Sequence, residues 1–152
     1  MKKKKIIVAV SGGFDPPHLG HLKLFQEAKK LGDELVVILN NDNWLKAKKG
    51  YVLIPQKDRK ALIGSIKWVD KVILTKHPRH PKDMSVSQEL LKLTPDIFVN
   101  GGDRTRKNIP EVKVCKKIGC KMVFGVGGGK INSSSKLVEK AIKHWLRKHK
   151  LF

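Results

Sequence analysis

Residues 5–21 read KIIVAVSGGFDPPHLGH, and this stretch decides the fold. Lys5 to Ser11 is a short apolar run that ends in glycines, the pattern of a buried strand. Gly12 and Gly13 close it and permit close approach of backbone to a ligand. Pro16 and Pro17 fix the turn that follows. Leu19, Leu22, Leu24, Phe25, Ala28 and Leu31 then recur at helical spacing, with Gly32 as the stop. His18 and His21 are three apart, so both point from one face of the first helical turn, and Gly20 between them leaves room for a bulky group. A helix start carries unpaired N–H groups and partial positive charge, so strand, glycine turn and histidines together form a cradle for a polyphosphate. Phe14 and Asp15 belong to the same turn. Two surface histidines is the plainer reading of the pair, and the flanking strand, glycines and helix weigh against it.

The rest of the chain repeats the alternation. Strands are expected at Glu34–Leu39, Lys71–Leu74, Asp96–Val99 and Lys121–Phe124. Helices are expected over Asp58–Ile66, from a Ser85/Gln88 capping box to Leu93, from Pro110 to Gly119, and from Ser133 onward. The last carries Leu137, Val138, Ala141, Ile142, Trp145 and Leu146 on one stripe. Residues 40–56 are polar and read as a long functional loop, and residues 77–81 (HPRHP) as an irregular loop with two surface histidines. Five strands alternating with helices predict one α/β domain over residues 1–152, Rossmann-like, with a five-stranded parallel sheet and helices on both faces. Ligands in such a sheet bind at the carboxyl ends of the strands. The loaded loops, 12–21, 40–50, 101–104 and 127–135, all follow strands.

Composition narrows the classes. The formal charge is +20, from 33 basic and 13 acidic residues, which favours anionic partners: nucleotides, phosphorylated metabolites or nucleic acid. No apolar run is long enough to span a bilayer, so a cytoplasmic protein without a membrane partner is expected. Cys115 and Cys120 lack further zinc-ligand partners and read as buried or half-buried thiols.

Particular side chains beyond the first turn fit phosphate chemistry. Lys46 and Lys49 can follow a phosphate as its charge moves, and Lys46 is the favoured one. Arg59 can hold a substrate phosphate with its forked donors, or pair with an acidic neighbour. Ser133, Ser134 and Ser135 can bind β- or γ-phosphate or serve as helix caps. Asp103 can accept from a ribose or base, or order its own turn.

The decapeptide Gly12–His21 resembles the H-x-G-H signature of the nucleotidyltransferase superfamily, the cytidylyl- and adenylyltransferases. The resemblance extends through Lys46, Lys49, Gly50, Pro55 and Arg59, and through Trp68–Ile73. Asn100-Gly101-Gly102-Asp103 with Ile109-Pro110-Glu111 is similar to the adenylyltransferase domain of ADP-heptose synthases. Ile131–Lys136 stands where the family has its I-S-T-T or S-S-T segment. Glycerol-3-phosphate cytidylyltransferases are also similar but carry an arginine stretch where this chain has Gly128, Gly129 and Lys130, which turns the expectation from CTP to ATP. Nicotinate- and pantetheine-type adenylyltransferases place an arginine where Lys136, Leu137 and Val138 stand.

The resemblance implies a nucleotidyltransferase acting on an NTP and a phosphorylated small molecule such as a sugar or polyol phosphate. His18, His21 and Lys46 would be catalytic. Gly12, Gly13, Phe14, Asp15, Gly20, Asn100, Gly101, Asp103, Ser133, Ser134 and Ser135 would bind nucleotide, with Lys49 and Arg59 on the substrate. Mg²⁺ would arrive on the NTP, with no protein metal site. A homodimer is compatible with this reading, and nucleic acid is not the expected partner. The alternative is a non-catalytic nucleic-acid-binding module that uses the +20 charge.

Overall fold

The computed structural model describes residues 2–102, 104–106, 109–129 and 132–151. The apolar run at the start becomes β1 (Ile7–Gly12), and the periodic segment after it becomes α1 (Leu19–Lys29). Next come β2 (Glu34–Leu39), α2 (Asp42–Lys49), α3 (Gln56–Gly64) and β3 (Lys71–Leu74). The second half holds α4 (Ser87–Leu93), β4 (Ile97–Gly101), α5 (Val112–Ile118), β5 (Lys121–Val126) and α6 (Ser134–Lys148). The strands form one parallel sheet in the order β3-β2-β1-β4-β5.

That order follows from two apolar faces. Val8 and Val10 of β1 point into a core with Phe25 and Ala28 of α1 and Ile63 of α3. Ala9, between them, joins the other core with Leu90 of α4, Phe98, Cys115 of α5 and Met122. Strands buried on both faces need no alternation of polar residues, which is why ELVVIL is apolar throughout after its first residue. The chain moves outward from β1 to β3, then crosses back to β4 on the other side of β1. The switch in strand order therefore lies between β1 and β4, and the crevice for a ligand opens at their carboxyl ends. At the opposite, amino ends, carboxylates tie the sheet: Asp33 accepts from Ile6 N, Asp96 from Ile7 N and Asp70 from Leu35 N.

Several expectations change. The long loop after β2 contains α2. The Asn41 side chain caps it by accepting from Trp44 N, and Gly50 ends it with φ +83. Asn41, Asp42 and Gly50 carry those helix signals, and the run of lysines obscured them. The Ser85/Gln88 capping box does not form. Ser85 Oγ donates to Ser87 Oγ, α4 starts at Ser87, and Glu111 takes the Val86 N–H. Pro110 precedes α5 rather than opening it. His77 is buried, not surface, while His80 is exposed. The apolar stripe of α6 is only partly packed: Leu137, Val138 and Leu146 are half-buried, Ala141, Ile142 and Trp145 are exposed, and Ser134 is the helix's one buried residue. Cys115 and Cys120 are buried and free, and burial pushes the Cys120 thiol up to about 12.

Candidate active site

The turn after β1 is built first by its own packing. Phe14, at φ +49, folds its ring back over Gly12, where an added Cβ would lie 2.8 Å from the ring. A Cβ on Gly13 would meet Leu45 at 2.9 Å. Both glycines are thus fixed by neighbours of the chain itself, and only Gly13 also lines the crevice. Asp15 is fully buried and accepts from Leu53 N and Ile54 N, both at 2.7 Å. This corrects the expectation that its carboxylate faces a nucleotide: it staples the turn to the segment before α3.

Arg59 is likewise internal. Its guanidinium donates to the carbonyls of Ile54, Gly13 and Asn40 and to Asp42, at 2.7–2.8 Å, with no exposed surface. Those donors are committed, so Arg59 does not hold a substrate phosphate. It joins the β1 turn, the end of β2 and the start of α2. A buried arginine with one carboxylate partner is tolerated because carbonyls satisfy the rest of the fork.

On that platform His18 caps α1. Gly20 N donates to His18 Nδ1 and His18 N donates to His21 Nδ1, both at 3.1 Å. The two imidazoles stack at 3.7 Å, and the Phe14 ring meets His21 edge-on at 4.8 Å. Each Nδ1 accepts from a backbone N–H, so each neutral ring carries its proton on Nε2. Burial, then the neighbouring His18 and Lys49, bring His21 down to about 3. His18 is lowered by burial and then by Lys49. Both are therefore neutral N–H donors near neutral pH.

The crevice they face has a volume of about 410 Å³, within the range of small-molecule sites. Lys49, at the end of α2, is half-buried in its wall. Its pKa is lowered by burial, raised by Asp15 and lowered again by Arg59. Lys46, one turn earlier, is exposed and is not part of the lining. The opposite wall is the start of α6. Ser133 Oγ caps it by accepting from Lys136 N at 3.0 Å, and Ser134 Oγ donates to Pro16 O at 2.7 Å. Those two hydroxyls serve the fold, and the exposed Ser135 stands with them in the lining.

The floor is the end of β4. Asn100 is buried, and its side-chain amide nitrogen has no partner among the described residues. A Cβ on Gly101 would come within 3.1 Å of the Leu24 side chain and 3.2 Å of the Val126 carbonyl, a tight fit that favours glycine. Asp103 lies outside the described residues. The structure thus brings Gly13, Phe14, His18, Gly20, His21, Lys49, Asn100, Gly101 and the three serines to one crevice, and leaves out Gly12, Asp15, Lys46 and Arg59. It adds Arg104, Ser11, Asn132 and Gly127–Gly129. Arg104 was within reach of sequence, as the cation that follows the glycines of β4. A larger cavity, about 920 Å³, lies along the outer edge of β3 and includes His77 and His80. It is away from the switch point.

A family model described as cytidylyltransferase-like matches residues 9–145 of this chain. The bifunctional protein HldE of a Nitratiruptor species is 38% identical over 120 residues, 77% of this chain and 24% of that protein. The FAD synthase of Pyrococcus horikoshii is 40% identical over 103 residues, 66% of each chain. This chain therefore matches about a quarter of the first relative's length and just under two thirds of the second's. Among solved structures, the lipopolysaccharide core biosynthesis protein from Thermoplasma volcanium superposes with a TM-score of 0.63 at 34% identity, covering 80% of this chain and 96% of that one.

Proposed function

This chain belongs to the cytidylyltransferase-like family, and on that premise we propose that it is a nucleotidyltransferase that joins a nucleotidyl group, from ATP in preference to CTP, to a phosphorylated small molecule. The observation that carries the reading is the pair of mutually capped, neutral histidines at a helix start. They stand in one crevice with Lys49, Arg104 and the start of α6.

An acceptor phosphate oxygen attacks the α-phosphorus of the NTP. A new P–O bond forms in line with the bond to the β-phosphate, which breaks and releases pyrophosphate. No covalent nucleophile is needed from the protein. His18 and His21 donate from Nε2 to phosphate oxygens as charge grows on them. Their neutrality suits this role, because a fixed N–H dipole stabilises charge without moving a proton. Lys49 supplies the mobile cation, in place of the exposed Lys46. Ser135 and the partial charge at the start of α6 add donors for the far phosphates.

The lining also fits magnesium that arrives on the nucleotide. No described lining residue is a carboxylate, and the described residues contain no cluster of three potential metal ligands. Phosphate oxygens and water would complete the ion's shell, and the ion would offset charge on the pyrophosphate leaving group.

ATP rather than CTP rests on Gly128 and Gly129, where similar cytidylyltransferases carry arginine, and on the match to an FAD synthase, whose named product contains an adenylyl group. The test is pyrophosphate release from each of the four NTPs against sugar 1-phosphates, glycerol 3-phosphate, phosphocholine, phosphoethanolamine and FMN. ATP-dependent release with one acceptor is expected. CTP-dependent release would reverse the base assignment, and no release with any pair would remove the reading.

A further inference from the structure

Helix α6 is long and strongly two-faced, and only part of its apolar face is covered: Leu137, Val138 and Leu146 are half-buried, while Ala141, Ile142 and Trp145 are exposed. Lys136, Lys140, Lys143 and Arg147 recur at helical spacing on one face, while Val138, Ala141, Ile142 and Trp145 occupy the other. A stripe of this kind is ordinarily what a helix buries. Here no apolar residue of α6 is buried, and Ile142 and Trp145 are 52% and 53% exposed. Leu151, just beyond the helix, is 56% exposed. The His149 imidazole stacks on the Trp145 ring at 4.3 Å.

Charge decides between occupants. From Lys136 to Leu151 the chain has six lysines and arginines against Glu139 alone, on a protein of formal charge +20. A second copy would bring an equal positive charge to the same face and be repelled. An anionic surface is attracted by all of it. A helix with a lysine-rich polar face, and an apolar face that includes tryptophan, is the form that lies in the headgroup plane of a bilayer. Clusters of four to eight basic residues on such a helix add attraction to anionic lipid. No helix among the described residues is long and apolar enough to cross a membrane, so the contact is one of surface.

We propose that α6 is a docking surface for an anionic lipid bilayer, with Ile142, Trp145 and Leu151 entering the headgroup–acyl boundary. The start of α6 lines the crevice, so docking holds the enzyme's mouth near the membrane plane.

The experiment is flotation of the full chain with vesicles of phosphatidylcholine alone, or of phosphatidylcholine mixed with phosphatidylglycerol, at physiological salt. The protein is expected to float with the mixed vesicles and not with phosphatidylcholine. The double substitution Ile142→Ala, Trp145→Ala should lower the bound fraction about tenfold, since both apolar anchors are lost. These side chains are outside the core, and circular dichroism checks that the fold is kept. Equal flotation of the double variant would mean that diffuse charge alone binds, and would overturn the proposal. So would light scattering that shows a lipid-free dimer which the same substitutions convert to monomer, because a second copy would then cover the stripe. None of these readouts depends on turnover, so they stand or fall apart from the enzymatic reading.

Discussion

Two histidine pairs have the same spacing in this chain and opposite fates. His18 and His21 begin a helix, while His77 and His80 lie in the irregular loop after β3. At the helix start, each ring gives up one nitrogen to a backbone N–H and keeps the other for the crevice. In the loop, both nitrogens of His77 are used. Nδ1 meets Thr75 Oγ1 at 2.9 Å and Nε2 meets the Ser85 carbonyl at 3.0 Å. Its backbone carbonyl accepts from the side chains of Asn41 and Asn43. His80 is thrown outward at φ +55. A histidine is available for chemistry when local structure consumes only one of its nitrogens, and spacing in sequence does not report that.

The widest separation between the pairs should appear in turnover. His21→Ala is expected to reduce pyrophosphate release by about 10²–10³-fold, the scale for removing one preorganised donor to a developing anion. His80→Ala should leave turnover unchanged. Steady-state rates, on proteins with matching circular dichroism, check this. Similar losses in both variants would erase the distinction drawn from geometry.

The two lysines of α2 sharpen the same contrast within one helix. Lys49→Ala should lower kcat by roughly ten- to a hundredfold and raise KM less, because the cation acts on charge that grows in the transition state. Lys46→Ala should change neither by more than about twofold, as an exposed lysine outside the crevice. Full kinetic profiles with NTP varied decide between them, and a larger kcat loss at Lys46 would restore it as the catalytic cation.

These residues also mark how far the sequence was readable. The sheet was legible because its strands are continuous apolar runs and its ligand loops all follow them. The motif was legible for the same local reason: glycine, proline and histidine each constrain the backbone near themselves. What sequence could not show is where long side chains end. Asp15 was expected on the nucleotide and Arg59 on a substrate phosphate, yet both turn inward to hold backbone from segments 38 and 46 residues away in sequence. Lys46 and Lys49 differ only in angle around a helix that the sequence had read as loop. The buried state of His77 depends on Ser85 and Thr75, and no periodicity encodes such a meeting.

Stability should reverse the order of the two pairs. His77→Ala removes a buried ring bonded on both sides: the Ser85 carbonyl loses its ring partner, and Thr75 Oγ1 is left with the Asn41 N–H alone among the described residues. A cost of about 2–3 kcal/mol is expected, with little change in kcat of the folded protein. Urea unfolding would read this as a lower midpoint at constant m-value. An unchanged midpoint would mean that water replaces the ring without loss.

The finest difference is in pH. His21 in the folded protein is held at about 3, against an ordinary histidine value of 6.5, by burial first and then by His18 and Lys49. A histidine lowered on folding takes up protons more readily when unfolded. Stability therefore rises with pH wherever the unfolded ring is protonated and the folded ring is not. Its contribution is complete above about pH 6.5, and it is lost progressively as pH falls from 6.5 toward 3. Between about pH 7 and 5.5 the loss from this group should be on the order of 1 kcal/mol. Thermal melts of the native chain and of His21→Gln across that range isolate the effect, because glutamine fills similar space and does not titrate. The variant's melting temperature should fall less steeply with acid than that of the native chain. Parallel slopes would mean that the His21 ring ionises normally in the folded protein, and the neutral donor assigned to it would be lost with them.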